Sequence, residues 1–351
     1  MASVNQETDY RWMNLALDQA KRGVGMTSPN PPVGAVLISK GKIIGQGYHR
    51  KAGQPHAEIE AINDAQTSNP KLVRGATLFV TLEPCCTQGR TGPCTEAIKA
   101  CGIKRVVWGA QDPNPSHLGR AQEILNSAGI SVTTGVMEAD CREIIRPFAK
   151  WVTTKMPYVI AKVGQSLDGR ITRPPGEGQW LTSKSARAHA LRLRSRVDAI
   201  IVGAGTVRQD NPKLTMRDGG TADKEQPWRV ILSRSCDLPE TSHIFTDEHK
   251  NRTWVVRDLE FPEVLLALGR HGVVNVLVEG GSDVLGQAFR HRCVDEVYCY
   301  IAPLLCGSGL TTLGGLPLAQ SVSLDHVDIM PIGDNVCISG HAVYAKTPDQ
   351  S

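Results

Sequence analysis

The chain has 351 residues, of which 41% are hydrophobic and 21% charged, with a net charge of +4. That length suits two domains, each with its own core, and that composition fits an ordinary globular protein rather than a fibrous or disordered one. No apolar run is long enough to span a membrane and no dense Lys/Arg block marks a nucleic-acid surface, so a membrane or nucleic-acid partner is not expected.

The start is polar and then amphipathic, without an apolar signal core. The ten cysteines are scattered along the chain, so reduced thiols and a cytoplasmic location are expected. Asp9 is expected to cap a first helix that turns Trp12, Leu15, Ala16 and Leu17 toward a core. VGAVLIS and KIIGQGYH read as a hairpin around Lys40-Gly41. His56 and Glu58 open the next helix, ATLFVTLEP is a buried strand that delivers Cys85, and a further helix starts near Cys94. KRVVWGA, a helix around AQEILNSAG, and ISVTTGV complete a layered α/β/α domain ending near Met137. Residues 139–156 are the expected crossing to a second domain. There YVIAKVG, the helix SARAHALRLRSR, DAIIVGAG, RVILS, TWVVR, VNVLVEGG, a helix from Leu285 to Arg290, and DEVYCYIAP again alternate. The expected domains are 1–147 and 148–351.

The chemistry concentrates in His56, Glu58, Cys85 and Cys94. One imidazole and two thiolates make a three-ligand zinc site with a fourth position open for water. Glu58, two residues after the histidine, would take a proton from that water and return it to substrate. H-x-E followed by P-C and a second cysteine is the signature of zinc deaminases acting on nucleobase-type rings. Eight residues separate Cys85 from Cys94, however, where nucleoside deaminases usually have two. The competing reading is a structural zinc with Cys86 as fourth ligand; Cys86, Cys101 and Cys141 are otherwise expected to be packed thiols.

Around these residues stand PNPPVGAV (Pro29 to Val36), GYHRKAGQPHAEIEA (Gly47 to Ala61), VTLEPC with GRTGPC (Val80 to Cys94) and QDPNP (Gln111 to Pro115). The second half carries KVGQSLDGRI (Lys162 to Ile171), QWLTS (Gln179 to Ser183), GTVRQDNPKLTMR (Gly205 to Arg217), VEGG (Val278 to Gly281) and YIAPLLCG (Tyr300 to Gly307). Together they resemble the bacterial bifunctional riboflavin-biosynthesis enzymes, which join a diaminohydroxyphosphoribosylaminopyrimidine deaminase to a 5-amino-6-(5-phosphoribosylamino)uracil reductase. The resemblance covers nearly the whole chain, and the wide cysteine spacing is that family's own. One departure is local: the family has Ser-His-His after its first cysteine, and this chain has Cys86-Thr87-Gln88.

The resemblance implies a cytidine-deaminase-like α/β/α domain followed by a dihydrofolate-reductase-like α/β domain, both acting on a small phosphoribosyl pyrimidine. It implies one zinc per chain, NADPH as reductant and a homo-oligomer. Asn30 and His49 would line the pyrimidine pocket, and Arg90 is either a phosphate contact or a solvated loop residue. Gly164, Trp180, Thr206, Asp210 and the loop from Gly281 would hold the nicotinamide cofactor, with Trp180 either a packing residue or a platform. Gly178, Arg194, Leu214, Arg217 and Glu279 would hold substrate, Arg194 and Arg217 as phosphate clamps. Lys162 and Asp168, on the loop after the first strand of that half, would either assist ring opening or form a strand-end salt bridge. Arg192 and Arg196 are expected on a solvated helix face. Read without the resemblance, Gly203-Ala204-Gly205-Thr206 is half a dinucleotide fingerprint, because Arg208 takes the third glycine's place. Glu279-Gly280-Gly281-Ser282 is either a phosphate loop or a tight turn. The rival functions are a nucleoside or tRNA deaminase fused to a different or inactive second domain, and a non-catalytic RNA- or nucleotide-binding protein with structural zinc.

Overall fold

The computed structural model describes residues 2–87, 92–115, 118–217, 224–235, 237–315 and 317–345. Arg90 and Gln88 lie outside them. The chain divides into two units, Met1–Lys155 and Met156–Ser351.

The first unit runs α1 (Ala2–Lys21), β1 (Gly34–Ser39), β2 (Lys42–Tyr48), α2 (Ala57–Ser68), α3 (Pro70–Val73), β3 (Thr77–Leu82), α4 (Cys94–Ala100), β4 (Arg105–Ala110), α5 (Arg120–Ser127), β5 (Ser131–Thr133), α6 (Glu138–Ile144) and α7 (Arg146–Thr154). Its sheet has the order β2-β1-β3-β4-β5, antiparallel at β1/β2 and β1/β3 and parallel beyond. Lys40 and Gly41 both have positive φ, 50° and 71°, the twist that a two-residue hairpin turn needs. α2 packs on this hairpin at close range. A Cβ on Gly45 would lie 2.2 Å from the Ala61 carbonyl oxygen, and one on Gly47 2.4 Å from Glu60 Cβ. Ala57, Ala61 and Ala65 complete the small-residue contact from the helix side. The result is a helix held hard against the sheet, with His56 at its entry.

One local expectation gives way here. Asp9 does not cap α1, which starts at Ala2; its buried carboxylate instead takes a forked pair of hydrogen bonds from Arg105 at 2.9 and 2.6 Å. The segment 139–156 contains α6 and α7, and the division into units falls within it, after α7. Cys141 on α6 sits where a Cβ at Gly109 would collide with its sulfur at 2.1 Å, which binds α6 to β4.

The second unit runs β6 (Tyr158–Ser166), α8 (Lys184–Arg192), β7 (Ala199–Gly203), α9 (Ala204–Asp210), β8 (Trp228–Leu232), α10 (His243–Thr246), β9 (Thr253–Val256), α11 (Phe261–Arg270), β10 (Asn275–Val278), α12 (Ser282–Arg290), β11 (Glu296–Ala302), β12 (Val322–Ile332) and β13 (Asn335–Tyr344). Eight strands form one sheet in the order β12-β13-β11-β6-β10-β7-β8-β9. β11 through β9 are parallel, and their apolar residues build cores on both faces, as a parallel sheet requires. β12 and β13 add an antiparallel ribbon.

Candidate active sites

In the first unit, His56 precedes α2, Cys85 follows β3 and Cys94 begins α4. His56 Nδ1 lies 3.4 Å from Cys85 Sγ and 3.3 Å from Cys94 Sγ, and the three ligand atoms all fall within 4.8 Å of one another. A tetrahedral zinc, with bonds of about 2.0–2.1 Å to nitrogen and about 2.3 Å to sulfur, needs N···S separations of about 3.6 Å. Donor set and spacing therefore both fit zinc. The backbone N–H of Cys94 donates to Cys85 Sγ at 3.3 Å, a helix-start amide that favours thiolate. The hydrogen bond from Cys94, opposed by burial and aided by His56, pulls the Cys85 thiol far below its ordinary value.

Glu58 is buried at 3% exposure, with its carboxyl against the Cys94 thiol. Burial pushes its pKa up to about 7, where a carboxyl can both take and give a proton near neutrality. His49 is also buried, its ring edge-on to His56 with centroids 5.2 Å apart. Pro55 O lies 3.0 Å from its Nδ1, and the Asn30 side-chain amide 3.0 Å from its Nε2. Burial lowers its pKa, so the neutral ring donates from Nδ1 and accepts at Nε2. His49 thus fixes the Asn30 amide beside the metal-type cluster, with both its own nitrogens engaged.

In the second unit, a cleft of about 2650 Å³ is lined by Gly164, Trp180, Thr206, Asp210 and Gly281, with Lys162, Gly178, Arg194, Leu214, Arg217 and Glu279, while Asp168 is not part of its lining. A single-ligand pocket measures roughly 300–1,000 Å³, so this one has room for a dinucleotide and a substrate together. The two glycine turns both line it and lie side by side because β7 and β10 are neighbours. A Cβ on Gly280 would come within 2.7 Å of Val202 Cα, and one on Gly281 within 3.5 Å of Thr206 Oγ1. Trp180 is 57% exposed, with the Arg187 guanidinium 4.6 Å above its ring, so it is a cleft-wall residue rather than a packing one. Gln179 Nε2 donates to Asp210 Oδ1 at 2.9 Å, tying that wall to the end of α9.

Several polar residues have partners that their spacing did not reveal. Arg194, almost fully buried, donates to both oxygens of Glu279 at 2.6 and 3.0 Å and to the Thr215 carbonyl at 2.9 Å. Its guanidinium is turned to protein, while Arg217 stands exposed on the cleft wall. Lys162 lies within β6 rather than on the loop after it, with Nζ 3.5 Å from Glu279 Oε2. Burial alone would raise the Glu279 carboxyl, but the charges of Lys162 and Arg194 hold it down at about 2. Asp168 accepts from Ser166 Oγ at 2.5 Å and from the Cys306 and Gly307 amides at 3.0 and 2.7 Å. It clamps two loops. Arg196 is not on a solvated face: it donates to the Tyr298 hydroxyl at 2.9 Å.

Comparison with known proteins matches residues 6–110 to the cytidine and deoxycytidylate deaminase zinc-binding region and residues 157–338 to the RibD C-terminal domain. The riboflavin biosynthesis protein RibD of Bacillus amyloliquefaciens is 40% identical over 324 residues, covering 85% of each chain. This chain belongs to the RibD family. RibD of Escherichia coli K12 is 36% identical, covering 94% of this chain and 98% of that one. Among solved structures, Acinetobacter baumannii RibD (form 1) is similar at a TM-score of 0.87 and 32% identity, covering 97% of this chain and all of the other. Membership makes the chain an enzyme with a zinc-binding deaminase domain and a reductase domain.

In this RibD chain the VTLEPC motif also carries Glu83. Its buried carboxylate accepts from the backbone amides of Asp112, Gly119 and Ala121 at 3.3, 3.1 and 3.1 Å. It moors the segment after β4 to the end of β3, two residues from Cys85. A buried acid directly after an apolar strand was the available signal, since burying a carboxylate demands such partners. Among the described residues, Cys86 is not part of the metal-type cluster. Cys86→Ser is accordingly expected to leave zinc content, read by elemental analysis, unchanged; a fall in bound zinc would make Cys86 a ligand.

Proposed function

We propose that the first unit hydrolyses 2,5-diamino-6-(5-phosphoribosylamino)pyrimidin-4(3H)-one at its C2 amino group, releasing ammonia, and that the second reduces the ribosyl group of the product to ribityl with NADPH. The observation that carries this reading is the convergence of His56, Cys85 and Cys94 beside the buried carboxyl of Glu58. It is supported by the Thermotoga maritima structure described as a diaminohydroxyphosphoribosylaminopyrimidine deaminase/5-amino-6-(5-phosphoribosylamino)uracil reductase, similar at 33% identity and a TM-score of 0.86.

His56, Cys85 and Cys94 would hold zinc, which when bound supplies a Lewis acid that brings the pKa of water to about 7. Glu58 takes the proton of the attacking water, delivers it to a ring nitrogen, and returns one to the departing ammonia. Asn30, held by His49, presents its amide to the edge of the pyrimidine. In the second unit a nicotinamide cofactor supplies the hydride. Gly164, Thr206, Asp210, Trp180 and the turn at Gly281 would bind it, the last offering amides at the start of α12 to a phosphate. Gly178, Leu214 and Arg217 would seat the substrate, with Lys162 and Glu279 at the cleft floor. NADPH rather than NADH, a homo-oligomeric state and a cytoplasmic location follow the family resemblance.

The test is a coupled assay on zinc-loaded protein, following ammonia release and nicotinamide absorbance together. Ammonia followed by NADPH oxidation supports both steps and their order. Ammonia without oxidation restricts the reading to the first unit, and the absence of both signals overturns it. Arg217→Ala is expected to raise the reductase KM with kcat little changed; an unchanged KM removes Arg217 from the phosphate contacts.

A further inference from the structure

In the proposed reductase step Arg217 meets the substrate phosphate, and so long a side chain needs a fixed root. The backbone that carries it has no regular structure: residues 211–217 lie in neither helix nor strand. Asn211 and Leu214 both take positive φ, 41° and 52°, a left-handed conformation that residues other than glycine keep only when their surroundings impose it. Leu214 is buried, and its side chain pins the start of the turn that leads to Arg217.

One peptide unit of this segment is held at both ends. The Thr215 carbonyl accepts from Arg194 Nη1 at 2.9 Å, and the N–H of Met216, on the other side of the same amide plane, donates to Gln226 Oε1 at 2.7 Å. An amide plane is rigid, so two bonds in opposite directions fix its rotation and hence the direction in which Arg217 sets out. Thr215 and Arg217 line the cleft, whereas Met216 and Gln226 do not; Gln226 grips from behind the wall. Gln226 is anchored in turn. Two residues before it, Lys224 Nζ donates to the carbonyls of Ser195 and Val197, both at 2.8 Å, at the end of the 3-10 turn Leu193–Arg196 that carries Arg194. Carbonyls at the end of a helical turn have no partner inside it, so a cation there is well placed. Lys224 and Gln226, both half-buried, lace the Arg194 turn to the segment that presents Arg217, and β8 begins at Trp228 directly after them.

We propose that Gln226 is a positioning residue of the reductase site: by holding the Thr215–Met216 peptide from outside the cleft it aims Arg217 at the substrate phosphate, an inference that rests on the phosphate contact assigned to Arg217. Standing behind the wall, Gln226 meets neither substrate nor cofactor. Its oxygen does from one side what Arg194 does from the other, and Arg194 is itself clamped by Glu279. The series Glu279, Arg194, peptide, Gln226 runs unbroken from the cleft floor to the back of its wall. Without the glutamine oxygen the Met216 N–H would turn to water, and the plane could swing about its one remaining bond. Arg217 would then sample several directions, and substrate would have to order it on binding, a cost that falls on affinity.

The experiment measures reduction of the deaminated substrate by the full, zinc-loaded chain. Gln226→Leu is expected to raise KM about 5-fold, the scale of one lost neutral hydrogen bond, with kcat, NADPH affinity by fluorescence titration, and ammonia release unchanged. Gln226→Glu keeps an acceptor oxygen at the same reach and is expected to keep KM near wild type. Hydrogen exchange followed by mass spectrometry is expected to quicken in Gln226→Leu over residues 211–217 and nowhere else in the second unit. The double variant Gln226→Leu/Arg217→Ala is expected to match Arg217→Ala alone, because residues that act through one contact are not additive. Wild-type KM in Gln226→Leu overturns the proposal, as does a loss confined to kcat or NADPH binding, an equal defect in Gln226→Glu, or KM effects that multiply in the double variant. Exchange that quickens throughout the unit makes Gln226 a residue of general stability and overturns it too. An unchanged KM in Arg217→Ala overturns the phosphate contact itself, a result distinct from a responsive Arg217 with a silent Gln226.

Discussion

Glu58→Gln is expected to reduce deamination by about 10²–10⁴-fold, the range for loss of a general acid–base group, while zinc content and NADPH oxidation stay as they were. Glutamine has the shape of the carboxyl it replaces but cannot carry the proton. The cluster that would hold the metal is complete without residue 58, since His56 Nδ1 and the two sulfurs already meet at zinc-like separations. The site is also buried, and a neutral amide is no harder to bury there than a carboxyl whose pKa already stands at about 7. Ammonia release, elemental analysis and reduction of the deaminated substrate are the three measurements. Deamination at the wild-type rate would remove Glu58 from the proton path, and loss of zinc would make it structural.

Arg194→Met is expected to destabilise the second unit by about 3–5 kcal/mol, because it strands a buried carboxylate. Glu279 would lose both guanidinium hydrogen bonds and keep only Lys162 at 3.5 Å. The double variant Arg194→Met/Glu279→Leu is expected to recover much of that stability without recovering reduction, since apolar replacement of a whole buried pair is often close to neutral. The pH dependence has a definite sign. A carboxyl whose pKa is depressed by folding contributes stability above its unfolded value, and that contribution is lost as pH falls toward the folded value. For Glu279 the window lies between its ordinary 4.5 and about 2. Acid unfolding followed by tryptophan fluorescence is expected to be steeper in wild type than in the double variant across that window. Equal profiles would show that the pair contributes little.

What sequence conveyed well was local. The Lys40-Gly41 turn, the helix opening after His56, and Cys94 at a helix start each follow from a few adjacent residues whose backbone preferences agree. The zinc-type ligands were legible because their residue types are scarce and their chemistry narrow. Long-range polar partnerships were not. Asp9 looked like a cap because helix starts favour Asp, yet its partner Arg105 lies 96 residues away. Arg194 looked like a phosphate clamp, and its partner Glu279 is 85 residues distant. Periodicity states which face a residue takes; which cation meets which anion across that face depends on strand order, and strand order here brings β10 between β6 and β7.

The two units each close a sheet and a core of their own, yet one polypeptide carries both. Two separately encoded catalysts would be present in whatever ratio their expression and turnover dictated. Here the ratio of the two sites is one to one in every cell and at every expression level. The amount of deaminated intermediate that accumulates is then governed by the relative turnover of the two sites and not by their relative expression.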